Sequence, residues 1–274
     1  KVTMAQYHPR QRPWSLQLLN EMELDKSFSF YQDRFADASD FTFFFVGNFD
    51  RKAIAPRILT YLGGLPSFNR KETWKNTGID PPQGIMKKHV YRGMEEKSIT
   101  RIIFSGNFEW SRENRYTIQS MAQAFRIKLR EVLREDMSGV YGVGVRVKPK
   151  HYPEGEYTIS ISFGCAPDRV EELTNAVFQQ IDSLKTTGLT DKYLTKVKEK
   201  QRRERETNLK ENRFWLNVLK TYDMHNEDFL DILEYEKLIK ELSLENIQKA
   251  ANQYFNVENY VQITLYPENP PGEN

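Results

Sequence analysis

One cysteine, Cys165, in 274 residues excludes an intrachain disulfide and any zinc cluster built on several cysteines. Histidine is scarce too. His8, His89, His151 and His225 are far apart, and none stands in an H-E-x-x-H or H-x-x-E-H frame, so a local zinc motif is absent. The longest apolar runs, such as residues 41–46, fall far short of the ~20 residues that a membrane-spanning helix needs. An excess of one charge sign is also lacking. Forty Lys plus Arg stand against 38 Asp plus Glu, a formal net charge of +2, so bulk charge exerts no pull toward nucleic acid or an anionic membrane. No G-x-S-x-G elbow, phosphate-cradling loop or dinucleotide fingerprint occurs; Gly142-Val143-Gly144 lies within a predicted strand and lacks the third glycine. Lys1 opens no secretory signal pattern, and without an initiator Met or targeting segment the chain reads as a piece of something longer.

What is present is the composition of a folded protein, 39% hydrophobic and 13% aromatic, with a polar surface supplied by 28% charged residues. Residues 1–34 read as surface loops and short helices, with a helical pattern through Leu16, Leu19 and Met22 and then Phe28, Tyr31 and Phe35. Residues 41–46, Phe-Thr-Phe-Phe-Phe-Val, are β-prone and nearly all apolar, as expected of a strand buried on both faces. Asp50 caps a helix carrying Ile54, Ile58, Leu59 and Leu62, which Gly63-Gly64 and Pro66 stop. Residues 67–84 lose apolar periodicity and read as a linker.

Beyond the linker, 85–90 and 100–104 read as strands, and Ser111 caps a long helix with the stripe Ile118, Met121, Ala122, Phe125, Leu129, Val132 and Leu133. The chain then turns into 140–147, whose alternation places Tyr141, Val143, Val145 and Val147 on one face. After the loop 151–155, Tyr157, Ile159, Ile161 and Phe163 alternate with polar residues, which predicts an antiparallel hairpin with one buried face. Asp168 with Glu171 resembles a capping box before a helix through Leu173, Val177, Ile181 and Leu184. A polar helix from Thr190, two helices over 229–242 and 247–255, a strand over 260–266 and a disordered tail complete the chain.

Few residues form a chemical constellation. His151 and Glu154 share a loop that reads as solvated, and Cys165 reads as a buried thiol. Between Lys192 and Arg213, nine Lys or Arg alternate with four Glu, the pattern of an exposed helix laced with i to i+4 pairs, against a nucleic-acid face. Arg134 and Tyr141 straddle a helix-to-strand junction. They could share one cavity and stabilise an oxyanion, or Arg134 could complement a helix C-terminus while Tyr141 packs in a sheet.

The order of elements adds a resemblance. Residues 30–35 (Phe-Tyr-Gln-Asp-Arg-Phe), the run 41–46 with Gly47-Asn48-Phe49-Asp50, and Tyr61-Leu62-Gly63-Gly64-Leu65-Pro66 resemble the stretch that closes one α/β domain in the insulinase/pitrilysin family of zinc metallopeptidases. Residues 129–136 leading to Gly139-Val140-Tyr141, and Pro167-Asp168-Arg169-Val170 before a helix, are similar as well. The resemblance covers about residues 28–266. It implies a two-half enzyme whose N-terminal half carries the inverted H-x-x-E-H zinc site, with this chain from the non-zinc C-terminal half.

That resemblance implies an α+β fold with antiparallel or mixed sheets covered by helices. Residues 1–66 would close an upstream α/β domain, 67–84 would link, 85–267 would be a complete α+β domain, and 268–274 a disordered tail. Arg134 and Tyr141 become the candidate catalytic and substrate-binding residues, steadying the tetrahedral intermediate of a peptide substrate in the assembled parent. No metal ligand is expected here, zinc lying in the other half, and the expected partner is the zinc-bearing half. Alone, the chain is expected to be inactive. No nucleic acid and no membrane span are expected, and the resemblance alone bears on compartment, being compatible with the bacterial periplasm. The competing reading is a non-catalytic scaffold or assembly protein of the same fold.

Overall fold

A computed structural model describes residues 3–268. In chain order the elements are α1 (Leu16–Asn20), α2 (Leu24–Arg34), α3 (Arg51–Tyr61), β1 (Ile85–Tyr91), β2 (Ser98–Asn107), α4 (Arg112–Arg130), a π-helical turn (Glu131–Asp136), β3 (Gly142–Lys150), β4 (Glu156–Cys165), α5 (Val170–Thr186), α6 (Asp191–Asn208), α7 (Asn212–Met224), α8 (Tyr235–Glu241), α9 (Leu244–Tyr254) and β5 (Tyr260–Tyr266), with short 3-10 turns between. Two compact units emerge: 3–8, 76–203 and 235–268 in one, and 9–75 with 204–234 in the other. Residues 204–234 group with 9–75.

The larger unit is built on a five-stranded mixed sheet in the order β1-β5-β2-β4-β3. The hairpin expected from the alternation is present: β3 and β4 run antiparallel from Gly142 opposite Gly164 to Lys150 opposite Glu156. β2 lies antiparallel to both β4 and β5, and β1 joins β5 in parallel. Side chains at one phase of each strand, among them Ile102, Phe104, Ile159, Ile161 and Phe163, point to a single core. α4, α5 and α9 cover that face with Phe125, Leu129, Leu173, Val177, Ile181 and Phe255. The Phe104 and Phe255 rings meet edge to face at 5.2 Å, a favoured aromatic geometry. The Ser111 hydroxyl accepts from Asn114 N and caps α4, and Ser243 with Asn246 forms a full capping box on α9.

Two sequence expectations fail locally. Asp168 does not cap α5. Pro167 opens a 3-10 turn that runs into the helix, so Arg169, the residue before it, is already helical and makes no side-chain cap. Residues 41–46 belong to no ladder, and Phe43 and Phe45 are exposed. A strand needs a neighbour to satisfy its N–H and C=O groups, and the smaller unit contains no strand among the described residues. Asp50 caps α3 as expected, accepting from Ala53 N.

The expected tail begins differently. Glu268 N donates to Gly93 O at 2.9 Å, and 269–274 lie outside the described residues. No helix among the described residues is long and apolar enough to cross a membrane.

Candidate functional site

Arg134 and Tyr141 sit at the two ends of the junction between α4 and β3, and each step of that junction is fixed by a specific contact. The last α-helical turn widens into a π turn, a form often associated with functional sites. Met137 N donates to Val132 O at 3.0 Å and Gly139 N to Leu133 O at 2.9 Å. Leu133 is fully buried, so it anchors the turn while the next residue, Arg134, faces outward. Glu131, at the start of the turn, is held by Lys196 Nζ at 2.8 Å and by the Tyr193 hydroxyl. Those two hydrogen bonds, Lys196 first, draw its carboxyl down to about 2.

The chain then reverses. Ser138 adopts a left-handed conformation at φ 49°, and Gly139 follows where a Cβ would lie 2.5 Å from Leu173 Cδ2 and 3.1 Å from Arg169 Nη1. A glycine lets the backbone pass that close without displacing Leu173 or Arg169. Arg169 closes the corner, donating from Nη1 to Met137 O at 3.2 Å while ion-paired with Glu172 at 2.9 Å.

Tyr141 begins the sheet without joining its pleat. Its N–H donates to Gly164 O at 3.0 Å, yet the residue is 66% exposed. The alternation that placed Tyr141 beside Val143 and Val145 is therefore corrected: the strand starts at Gly142, and the preceding residue has not yet entered the two-residue repeat. Its ring lies against Gly164 and under Lys97, whose Nζ is 5.9 Å from the ring centroid. Lys97 is a neighbour that sequence reasoning missed, because only the register of β2 with β4 and of β4 with β3 brings it there. No hydrogen bond or ion pair joins Arg134 to Tyr141 among the described residues.

The other candidates resolve simply. Cys165 is 1% exposed, and burial pushes its thiol up to about 11, which suits an inert core residue. His151 stacks between Trp110, at 4.9 Å, and Tyr152, at 4.2 Å, and Glu154 accepts from Asn76. Along the basic helix, Lys192 and Lys196 pair with Glu131, Arg202 pairs with Glu236 at 2.9 Å, and Arg205 donates to the Ile232 carbonyl and lies over the Phe214 ring. These cations are engaged in the protein's own contacts. No group of three or more His, Cys, Asp or Glu that could hold a metal ion occurs among the described residues, so the residues present do not fit a zinc site.

Comparison with known proteins decides the family. The model of the peptidase M16 inactive domain matches residues 21–201. The chain belongs to the peptidase M16 family. It is an M16 inactive domain of the kind found in zinc protease-like proteins, in agreement with the insulinase/pitrilysin resemblance. A probable zinc protease, PqqL, of Haemophilus influenzae is 29% identical over 170 residues, which cover 61% of this chain and 18% of that protein. The periplasmic protease PqqL from Escherichia coli superposes with a TM-score of 0.68 at 19% identity, over 81% of this chain and 24% of its own. The M16 inactive domain from Pseudomonas fluorescens superposes with a TM-score of 0.69 at 18% identity, over 93% of this chain and 60% of its own. The chain spans about a fifth to a quarter of the length of the curated relatives it matches.

Proposed function

We propose that this M16 inactive domain completes the active site of a two-part zinc endopeptidase and that Arg134 and Tyr141 are what it contributes. The observation that carries the reading is the junction itself. A π turn pinned by Leu133 and Glu131, then a corner pinned by Gly139 and Arg169, presents a guanidinium and a phenol to solvent. Neither side chain is consumed by an internal hydrogen bond among the described residues. Both are donors, and a carbonyl oxygen gaining negative charge during peptide hydrolysis is what such donors stabilise.

On this reading zinc belongs to the partner, the zinc-bearing half of the same polypeptide or a separate subunit, and the substrate is a peptide held in a chamber between the halves. Residues 1–66 close an upstream α/β domain, 67–84 are the linker, and 85–267 hold the non-zinc domain, with 204–234 packing on the upstream part. The periplasmic location of the Escherichia coli PqqL supports the same compartment for this protein.

The test is zinc-dependent cleavage of a mixed fluorogenic peptide pool by this chain, by the zinc-bearing half, and by the two combined. Cleavage only by the combination is expected, with Tyr141→Phe and Arg134→Ala each lowering kcat about 100-fold. Folded, associated and inactive halves would instead select the scaffold reading. Unchanged turnover in both variants would remove these two residues from the mechanism.

A further inference from the structure

The sheet has two faces, and within the larger unit the described helices α4, α5 and α9 pack on one of them. On the other, the register sets Arg101 of β2 opposite Ser162 of β4, which in turn faces Gly144 of β3; one step along, Ser160 of β4 faces Arg146 of β3. Lys148 follows Arg146 at the same phase. Arg101, Arg146 and Lys148 are all exposed, and none of their side chains takes part in an ion pair or hydrogen bond among the described residues. The one acid at the same phase of β4, Glu156, is already paired with Lys150 at 3.2 Å. Exposed sheet faces ordinarily place opposite charges across neighbouring strands, since like charges there repel. Three cations stand over Ser160, Ser162, Thr158 and Gly144, with Ile99 and Ile103 of β2 beside them, and with no unpaired acid at this phase of β2, β4 and β3 among the described residues they form a surface whose complement is missing.

We propose that this open face of the β2-β4-β3 sheet binds an acidic protein segment lying extended across it. The occupant follows from charge complementarity and spacing. Strands ~4.8 Å apart and a rise of ~3.4 Å per residue put the Arg101 and Arg146 Cα atoms about 12 Å apart. An extended peptide repeats its side chains at four-residue intervals of about 13–14 Å, so carboxylates at i and i+4 reach both guanidiniums, which bind carboxylates through paired N–H groups. The serine hydroxyls and the bare backbone at Gly144 leave room for the segment's main chain. Three cations match two or three carboxylates, whereas a nucleic-acid face multiplies phosphate contacts along a longer track.

The surface begins beside Tyr141, whose Cδ2 lies 3.8 Å from where a Cβ on Gly164 would stand, at the end of the same face. Resting on the functional reading above, this makes acidic side chains on one side of the scissile bond the preferred substrate class. Binding itself does not depend on that reading.

The experiment is fluorescence anisotropy with the 274-residue chain and a labelled extended peptide carrying Glu at i and i+4, beside its Gln and Lys analogues and a single-stranded oligonucleotide of equal charge. The Glu peptide is expected to bind at least fivefold more tightly than the Gln peptide, to weaken with salt, and to fall to the Gln level in the exposed-site double variant Arg101→Ser plus Arg146→Ser. Circular dichroism and melting of that variant should match the parent. Equal binding of Glu and Gln peptides, no change in the double variant, or tighter binding of the oligonucleotide would overturn the proposal. Acid-selective binding lost in the double variant supports it whatever Tyr141→Phe does to turnover, so the two readings fail separately.

Discussion

The two compact units are written in similar apolar patterns and held together in different ways. In the larger unit, periodic apolar residues converge: Phe104, Ile161, Phe125, Leu173 and Phe255 are all buried in one core. In the smaller unit the same kind of pattern stays at the surface, with Phe28, Tyr31, Phe35 and Phe43 each roughly half exposed. These rings still touch in sequence, Phe28 to Tyr31, Tyr31 to Phe35, Phe35 to Phe41 and Phe41 to Phe43, at 4.7 to 6.4 Å. The fixed points there are polar. Asp37 accepts from Ser39 N and Oγ, Phe68 N and Arg70 N, while Arg70 and Arg34 both pair with Glu72. An apolar pattern therefore specifies a face, and what lies against that face decides whether it becomes a core.

The sharpest way to break this comparison is a matched truncation. Phe104→Ala removes a fully buried ring and should cost about 3–5 kcal/mol in urea unfolding. Phe43→Ala removes a ring that is 46% exposed and should stay within about 0.5 kcal/mol. Comparable losses would show that the smaller unit's aromatic row is a true core.

The same contrast explains what could be read in advance. Each strand of the larger unit was legible from its apolar, β-prone run, and β2 and β4 also from alternation against one helix layer: β5 lies at 260–266 as expected, and the Ser111 and Ser243 caps do what their residue types suggest. Residues 41–46 were misleading for the converse reason, since β-propensity describes a segment and a ladder needs a second one. At the candidate site, Arg134 and Tyr141 were visible as a spaced pair. The π turn, the left-handed Ser138 and the approach of Lys97 were not, because each depends on packing between elements distant in sequence. Arg101 and Arg146 carried no local signal at all, and only strand register makes them neighbours across β4.

A smaller effect is expected at the corner that aims Tyr141. Gly139→Ala drives a methyl into Leu173 and should cost about 1–3 kcal/mol as an overpacked contact. On the proposed function it should also lower turnover of the combined halves by displacing Tyr141. Leu173→Ala in the same chain makes room and should restore part of the turnover while lowering stability further. Turnover that ignored Gly139→Ala would mean the corner does not position the phenol. Amide hydrogen exchange sharpens the comparison at similar scale: β2 and β4 should exchange only through global unfolding, and α2 and α3 through local opening. Equal protection would merge the two units energetically.

The smallest effects are electrostatic, and in each unit a strongly depressed carboxylate reports on them. Glu131 is held at about 2 by Lys196 and Tyr193, below its ordinary 4.5. A carboxyl depressed on folding adds stability above its unfolded value and loses it as pH falls through the folded one, so this anchor acts fully above about pH 4.5 and fades toward pH 2. Asp37, drawn well below the usual carboxylate range by the Ser39 hydroxyl first and the Phe68 and Arg70 amides after it, should keep its loop closed to still lower pH. Residue-resolved NMR titration should therefore show the Glu131 carboxyl protonating before that of Asp37, with Glu131→Gln flattening the first transition alone. An Asp37 that protonates in the ordinary carboxylate range would mean that its four donors are not held in place in solution. The polar scaffold would then not be what orders the smaller unit, and the contrast with the packed core would have to rest on its aromatic row instead.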